Sequence, residues 1–166
     1  MNILSIIDSK NYTDDLPVFE KYSVRGIIRR GNLYAMQQSG TGEYKIPGGT
    51  VDAGEDFLTA LSREVQEETG LLVIPESIQP IGEITEYRRD VFDPGMKYIC
   101  HSLFYFCDVA PETTATSMTE SELAKGFHPC WADLDTILAT NNALLTESWT
   151  RRDTDFLMML RDGLIP

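Results

Sequence analysis

The sequence predicts a mixed α/β domain, and three stretches carry that prediction. A helical pattern runs from Asp56 to Gly70. A long strand-like run, YICHSLFYFCDV, covers Tyr98 to Val109. Between Tyr22 and Gln37, two β-branched and apolar runs flank a Gly31-Asn32 turn, the pattern of a hairpin.

In chain order, Met1 to Ile7 is apolar enough for a short strand, and Asp8 to Pro17 is polar with turn signals. Residues 1–20 are read as an extension packed on or near a domain that spans 21–166. Three roles stay open for it: capping the sheet, leaning on a ligand site or joining a dimer. Tyr22 to Arg29 reads as one strand and Leu33 to Gln37 as its hairpin partner. Regular alternation sends Arg25 and Arg29 to one side and Arg30 to the other. At least two of these arginines are expected on a solvated edge, where charge opposes strand-to-strand aggregation, leaving one to meet a ligand. Tyr44 to Ile46 leads into a Pro47-Gly48-Gly49 turn.

The helix comes next. Asp56 suits its N-cap and Gly70 its left-handed C-terminal stop. Leu58, Leu61 and Val65 form the apolar side at three- and four-residue spacing. Leu71 to Ile74 and Ile81 to Val91 read as strands, with Asp93-Pro94-Gly95 as a turn. The Tyr98–Val109 run is apolar on both faces, as in a central strand. His101 within it is expected to be a hydrogen-bonded core residue. Ala110 to Met118 reads as an exposed connection and His128 to Trp131 as a strand. A helix starts at Asp133 and breaks at Asn141-Asn142. The last helix lies near Trp149 to Arg161, packed on the sheet through Trp149, Phe156, Leu157 and Leu160.

The chemistry concentrates on the helix. Glu64, Glu67 and Glu68 share one face, and like charges at that spacing oppose helix formation unless cations sit among them. Three carboxylates with no Cys or His nearby suit Mg²⁺ or Mn²⁺, hard cations that keep positions for water and phosphate oxygens. Arg63 lies beside the cluster, and Glu55 precedes the helix, where it can brace the guanidinium.

At these positions the chain resembles the Nudix hydrolase family. Gly49, Glu55, Arg63, Glu64, Val65, Glu67, Glu68, Gly70 and Leu71 fit its signature, G-x5-E-x7-R-E-U-x-E-E-x-G-U with U bulky and aliphatic, and no position departs from it. The resemblance implies an α/β/α sandwich with a mixed, curved β-sheet and the signature helix against one face. It implies water attack on a phosphoanhydride of a nucleoside diphosphate linked to a second group. It gives Glu64, Glu67, Glu68 and the Gly48 carbonyl as metal ligands, with Arg63 and Glu55 holding helix and loop in register. Many relatives add a loop carboxylate late in the domain; Glu120 and Glu122 are available, and the offset from Gly126-Phe127 favours Glu122 as base or ligand. Nucleoside triphosphates, nucleotide sugars and dinucleoside polyphosphates all stay open as substrates. Tyr87 is similar in approximate placement to a tyrosine of dinucleoside-polyphosphate relatives, and an ordinary strand tyrosine explains it equally. Two other readings belong to the family: a nucleotide-binding regulatory module without catalysis, and a prenyl-diphosphate isomerase using Cys100 or Cys107.

Composition narrows the partners. The 166 residues carry a net charge of −12, which argues against a nucleic-acid backbone as partner. A small polyphosphate fits, because metal ions can supply positive charge. The N-terminal apolar run is too short for a signal peptide and lacks a basic leader. No run reaches membrane-spanning length. The three cysteines match no zinc spacing and read as reduced thiols of a cytoplasmic protein. A homodimer is compatible with the composition.

Overall fold

In the computed structural model, which describes residues 1–145 and 147–166, a five-stranded mixed sheet forms the centre. Its order is β1 (Ile3–Asp8), β8 (Gln79–Arg89), β9 (Lys97–Phe106), β2 (Val18–Ile27) and β6 (Gly48–Thr50). β1 runs parallel to β8 and β2 parallel to β9, while the other pairs are antiparallel. A second sheet has the order β11 (His128–Asp133), β4 (Leu33–Gln38), β3 (Arg29–Arg30), with β5 (Tyr44–Lys45) also on β4. β7 (Leu71–Val73) and β10 (Val109–Thr113) form a small antiparallel pair.

The predicted hairpin is shorter than the sequence pattern. β2 leaves its sheet at Ile27, and only Arg29–Arg30 pairs with β4. The chain crosses between sheets at Ile28, which is fully buried. The crossing also breaks the alternation: Arg25 is buried, whereas Arg29 and Arg30 are exposed. β9 is the central strand, as its two apolar faces require.

Two apolar clusters fill the two sides of the main sheet. On one, Leu61, Val65 and Ala60 of α1 (Phe57–Thr69) pack on Val24, Leu103 and Tyr105. Each such buried aliphatic side chain contributes about 1.5–3 kcal/mol relative to exposure. Leu58, expected in that stripe, is 44% exposed and does not contribute to the core. On the other side, Phe156 of α4 (Ser148–Arg161) stacks on Phe104 at 4.0 Å between ring centroids, beside Ile84 and Leu157.

Two connections also differ from the sequence reading. Part of the expected exposed link 110–118 is β10, whose partner β7 lies far away in sequence. α3 (Leu134–Ala143), capped by Asp133, runs through Asn141-Asn142 without a break. Asn141 is fully buried, and its side chain accepts from the Tyr44 N–H at 2.8 Å and donates to the Tyr44 carbonyl at 2.9 Å. That pair of bonds satisfies the edge of β5 that faces away from β4, which accounts for an asparagine buried inside a helix.

Candidate active site

α1 is built as its ends predict. The Asp56 carboxylate accepts from the backbone N–H of Leu58 and Thr59 at 3.0 and 3.3 Å. Gly70 takes φ 73° and donates to the Gln66 carbonyl. The Pro47-Gly48-Gly49 turn passes the C-terminal half of α1 closely. A Cβ on Gly48 would collide with the Val24 carbonyl, and one on Gly49 with the Glu64 carboxylate. Glycine is therefore what lets the backbone approach the acidic face of the helix.

Arg63 organises one half of the cluster. It donates to Glu55 through Nε at 2.8 Å and Nη2 at 2.9 Å, a two-point clamp. Nη1 reaches Glu64 at 2.8 Å and Glu67 at 3.4 Å, and Nη2 also donates to the Thr50 carbonyl. The guanidinium thus ties the loop before the helix, strand β6 and two helix carboxylates into one unit. Its hydrogen bond holds the Glu55 carboxyl down at about 2. Burial raises the pKa of Glu64, against the opposing pull of Arg63.

Glu68 faces the other way and is buried. Lys45 donates to its Oε1 at 3.0 Å and the Gly48 N–H to its Oε2 at 2.8 Å. Burial pushes its carboxyl up to about 7 despite Lys45 and Arg25 nearby. Glu122 meets Glu68 from α2 (Glu120–Ala124), within hydrogen-bonding reach of the Glu68 carboxyl. A capping box fixes it: Glu122 Oε1 accepts from the Thr119 N–H and hydroxyl at 3.1 and 2.9 Å. Burial alone would raise its pKa; the bonds from Thr119, together with Glu68 and Lys45, outweigh it and leave the pKa lowered. Glu120 points to solvent. Of the two loop candidates, only Glu122 belongs to the cluster.

Among the described residues, no three His, Cys, Asp or Glu side chains already converge as a metal cage. The donor set nevertheless fits a hard divalent cation. Glu122 Oε2 is buried without a hydrogen-bond partner, and the Glu122 carboxyl lies within reach of that of Glu68. Two carboxylates so arranged need a shared proton or a cation between them. All donors are oxygens, the ligand type of Mg²⁺ and Mn²⁺ rather than Zn²⁺. The Gly48 carbonyl accepts from Arg25 Nη1 at 2.6 Å, which leaves one lone pair for a further partner.

Lys45, Arg25 and Asp153 hold this site without having been legible as its parts. Asp153 is fully buried on α4 and accepts from the Ile46 N–H at 2.9 Å, anchoring the link between β5 and β6. The only sequence signal was charge at otherwise apolar spacing in α4.

A family model described as NUDIX domain matches residues 20–152. The chain belongs to the Nudix family. A curated MutT-like protein from Streptomyces ambofaciens is 37% identical over 59 residues; the match spans 34% of this chain and 38% of that relative. Among solved structures, the fold resembles a MutT protein from Methanosarcina mazei Go1, with a TM-score of 0.59 at 19% identity over 91% of this chain and 98% of that one. A NUDIX hydrolase from Nitrosomonas europaea gives a TM-score of 0.58 at 20% identity over 81% and 85% of the two chains. The mixed α+β fold with a mixed sheet is thus that of Nudix proteins.

Other expectations resolve simply. His101 is hydrogen-bonded, but to two carboxylates, Glu83 at 2.5 Å and Glu20 at 2.6 Å, and it is partly exposed. Tyr87 packs under the Lys97 ammonium. Cys100 and Cys107 are buried free thiols, and burial pushes Cys107 up to about 12, the wrong direction for an acid or nucleophile. No helix among the described residues is long and apolar enough to cross a membrane.

Proposed function

We propose that the chain is a divalent-metal-dependent Nudix pyrophosphohydrolase that cleaves a phosphoanhydride in a nucleoside diphosphate linked to another group. The observation that carries this reading is the meeting of Glu122 and buried Glu68 beside the Gly48-Gly49 backbone. The catalytic unit is residues 21–166, with 1–20 as its extension, and the substrate is a small molecule. Mg²⁺ or Mn²⁺ would be held by Glu64, Glu67, Glu68, Glu122 and the Gly48 carbonyl.

When bound, the cation supplies positive charge against the diphosphate oxygens and makes water a better nucleophile. The chain's own residues do the rest. Glu68 would hold the cation as a carboxylate, and its carboxyl, which burial raises to about 7, sheds its proton near neutral pH. Glu64 orients the attacking water and takes its proton on a carboxylate oxygen. Arg63, clamped by Glu55, keeps the acidic helix face and β6 at fixed separation. Among the described residues no Ser, Cys or His side chain is bonded to these carboxylates, and in this reading water attacks phosphorus directly.

A panel of nucleoside diphosphate derivatives in ¹⁸O-labelled water tests this. Label is expected on a phosphate product, with a nucleoside monophosphate as one product, and chelator should abolish turnover. Label only on a sugar carbon, or full activity in chelated buffer, contradicts it. Tight nucleotide binding with no product across the panel would instead indicate the regulatory module.

A further inference from the structure

A cavity of about 350 Å³ opens beside the C-terminal end of α1, between the β7–β10 side and strand β11. That volume lies at the small end of ligand pockets. Among the described residues no carboxylate lines it, and its one charged side chain is Arg30. The chain carries 26 acidic residues against 14 basic ones, so a cavity with a guanidinium and no acid runs against the composition. Two other cavities that arginines enter bring acids of their own: Asp133 and Asp135 in one, Glu86 and Asp155 in the other.

Arg30 is held ready rather than paired. β3 sets it opposite Leu33 on one side of β4, and β11 sets Trp131 opposite Ala35 on the other. The guanidinium reaches across to lie 4.7 Å over the Trp131 ring. Stacking uses the face of the guanidinium, while its five N–H donors lie in its plane. Among the described residues no acceptor binds those donors.

A second wall adds hydroxyls on fixed backbone. Thr113, Thr114 and Thr116 line the cavity, and none makes a side-chain hydrogen bond among the described residues. The Thr114 N–H donates to the Gly70 carbonyl at 2.8 Å, and the Ser117 N–H to the Glu67 carbonyl at 2.7 Å. A Cβ on Gly70 would collide with the Thr114 carbonyl, so this approach requires the glycine. Ala35, Leu71 and Pro129 supply an apolar wall. The Glu67 carboxylate is turned to Arg63 and not into this space.

The lining selects a ligand class. A single guanidinium fork grips a planar carboxylate through two parallel N–H bonds. A phosphate dianion would leave one of its charges without a partner, and a metal ion would find no carboxylate. The apolar wall suits a hydrocarbon body. We infer that this cavity is a binding site for a small monocarboxylate, with Arg30 on the carboxylate and the apolar body against Ala35, Leu71 and Pro129. The site lies outside the acidic cluster and does not rest on the hydrolase reading. Its occupant would lie against the segment that runs from Thr114 to Thr119, the residue that fixes Glu122.

Calorimetric titration of the full chain with sodium hexanoate in chelated buffer tests the site without metal or turnover. Hexanoate should bind saturably, and the neutral hexanamide at least tenfold more weakly. Arg30→Gln should weaken hexanoate by roughly ten- to a hundredfold, the worth of one charge-assisted contact. Arg30→Lys, which keeps the charge without the fork, should weaken it too. Arg29→Gln removes the same charge from the same strand but not from this cavity, and should leave binding intact. Cys130 locates the ligand, because it lies on the cavity wall and is half-buried, whereas Cys100 and Cys107 are buried. Hexanoate should slow alkylation of Cys130 by iodoacetamide, read by peptide mass. No saturable binding, equal losses in Arg29→Gln and Arg30→Gln, or unchanged labelling of Cys130 overturns the inference. Tighter binding of hexyl phosphate than of hexanoate overturns the ligand class.

Discussion

Glu122 lies within hydrogen-bonding reach of the Glu68 carboxyl, and its Oε2 is buried without a hydrogen-bond partner. The two residues come from elements far apart in sequence, and each is pinned by its own backbone contact: Gly48 N–H for Glu68, Thr119 N–H for Glu122. Neither can swing away cheaply. The pair is strained as two anions and relieved by a cation or a proton.

Glu122→Gln should therefore lower divalent-metal affinity and turnover by roughly ten- to a hundredfold, as losses around metal ligands do. Glu120→Gln, on an exposed side chain, should do neither. The metal-free Glu122→Gln protein should be slightly less stable than the parent at neutral pH, because the lowered pKa of Glu122 means that the fold favours its carboxylate. Isothermal titration with Mn²⁺ and steady-state kinetics check both parts; equal effects of the two variants would remove Glu122 from the site.

The pH dependence follows from Glu68. Its carboxyl sits at about 7 in the folded chain against an ordinary 4.5. Between those values the folded state holds a proton that the unfolded state has released. Stability of the metal-free chain should then fall as pH rises from about 4.5 to about 7, and level off above. A cation must displace that proton, so apparent Mg²⁺ affinity should rise over the same window. Glu68→Gln should flatten the stability profile. Thermal melts across pH in chelator, beside metal titrations at each pH, read the two effects separately.

The clamp on Arg63 gives a third expectation. Lysine preserves the charge but cannot reproduce the two-point contact with Glu55 while also reaching Glu64 and the Thr50 carbonyl. Arg63→Lys should cut kcat by roughly ten- to a hundredfold. Circular dichroism should stay unchanged, since the caps at Asp56 and Gly70 are untouched. Wild-type kcat in this variant would mean that the clamp does not position the cluster.

How far the sequence reaches can be judged from particular residues. α1 was legible to the residue because its signals are local: Asp56 at one end, Gly70 at the other, Leu61 and Val65 at helical spacing between. The carboxylates and Arg63 follow from the same helix. Glu122 was legible only as one of two candidates; burial, which separates it from Glu120, depends on where α2 docks. The crossing at Ile28 was not legible, because β2 and β3 read as one β-branched run. Their separation comes from pairing with β9 and β4, each a long-range choice. Lys45 carried no signal in the sequence, and its bond to Glu68 exists only once α1 packs beside β6.

Asn141 shows the same gap and supplies the last prediction. Beside Asn142 it reads as a helix breaker, since asparagine competes for backbone bonds in turns. In the folded chain it spends that capacity on Tyr44, satisfying both the N–H and the carbonyl of a two-residue strand. Asn141→Ala leaves those two backbone groups buried without partners, a loss of about 2–4 kcal/mol. Asn141→Asp keeps the acceptor for the Tyr44 N–H but sets a carboxylate against the Tyr44 carbonyl, so it should destabilise too. Because Lys45 follows Tyr44 directly, loosening β5 should also release Lys45 from Glu68. The expected signature is a drop in melting temperature for both variants together with a shift in the pH at which divalent-metal affinity rises. A variant that melts lower but keeps the parent's metal–pH profile would confine Asn141 to holding the strand and disconnect it from the acidic cluster.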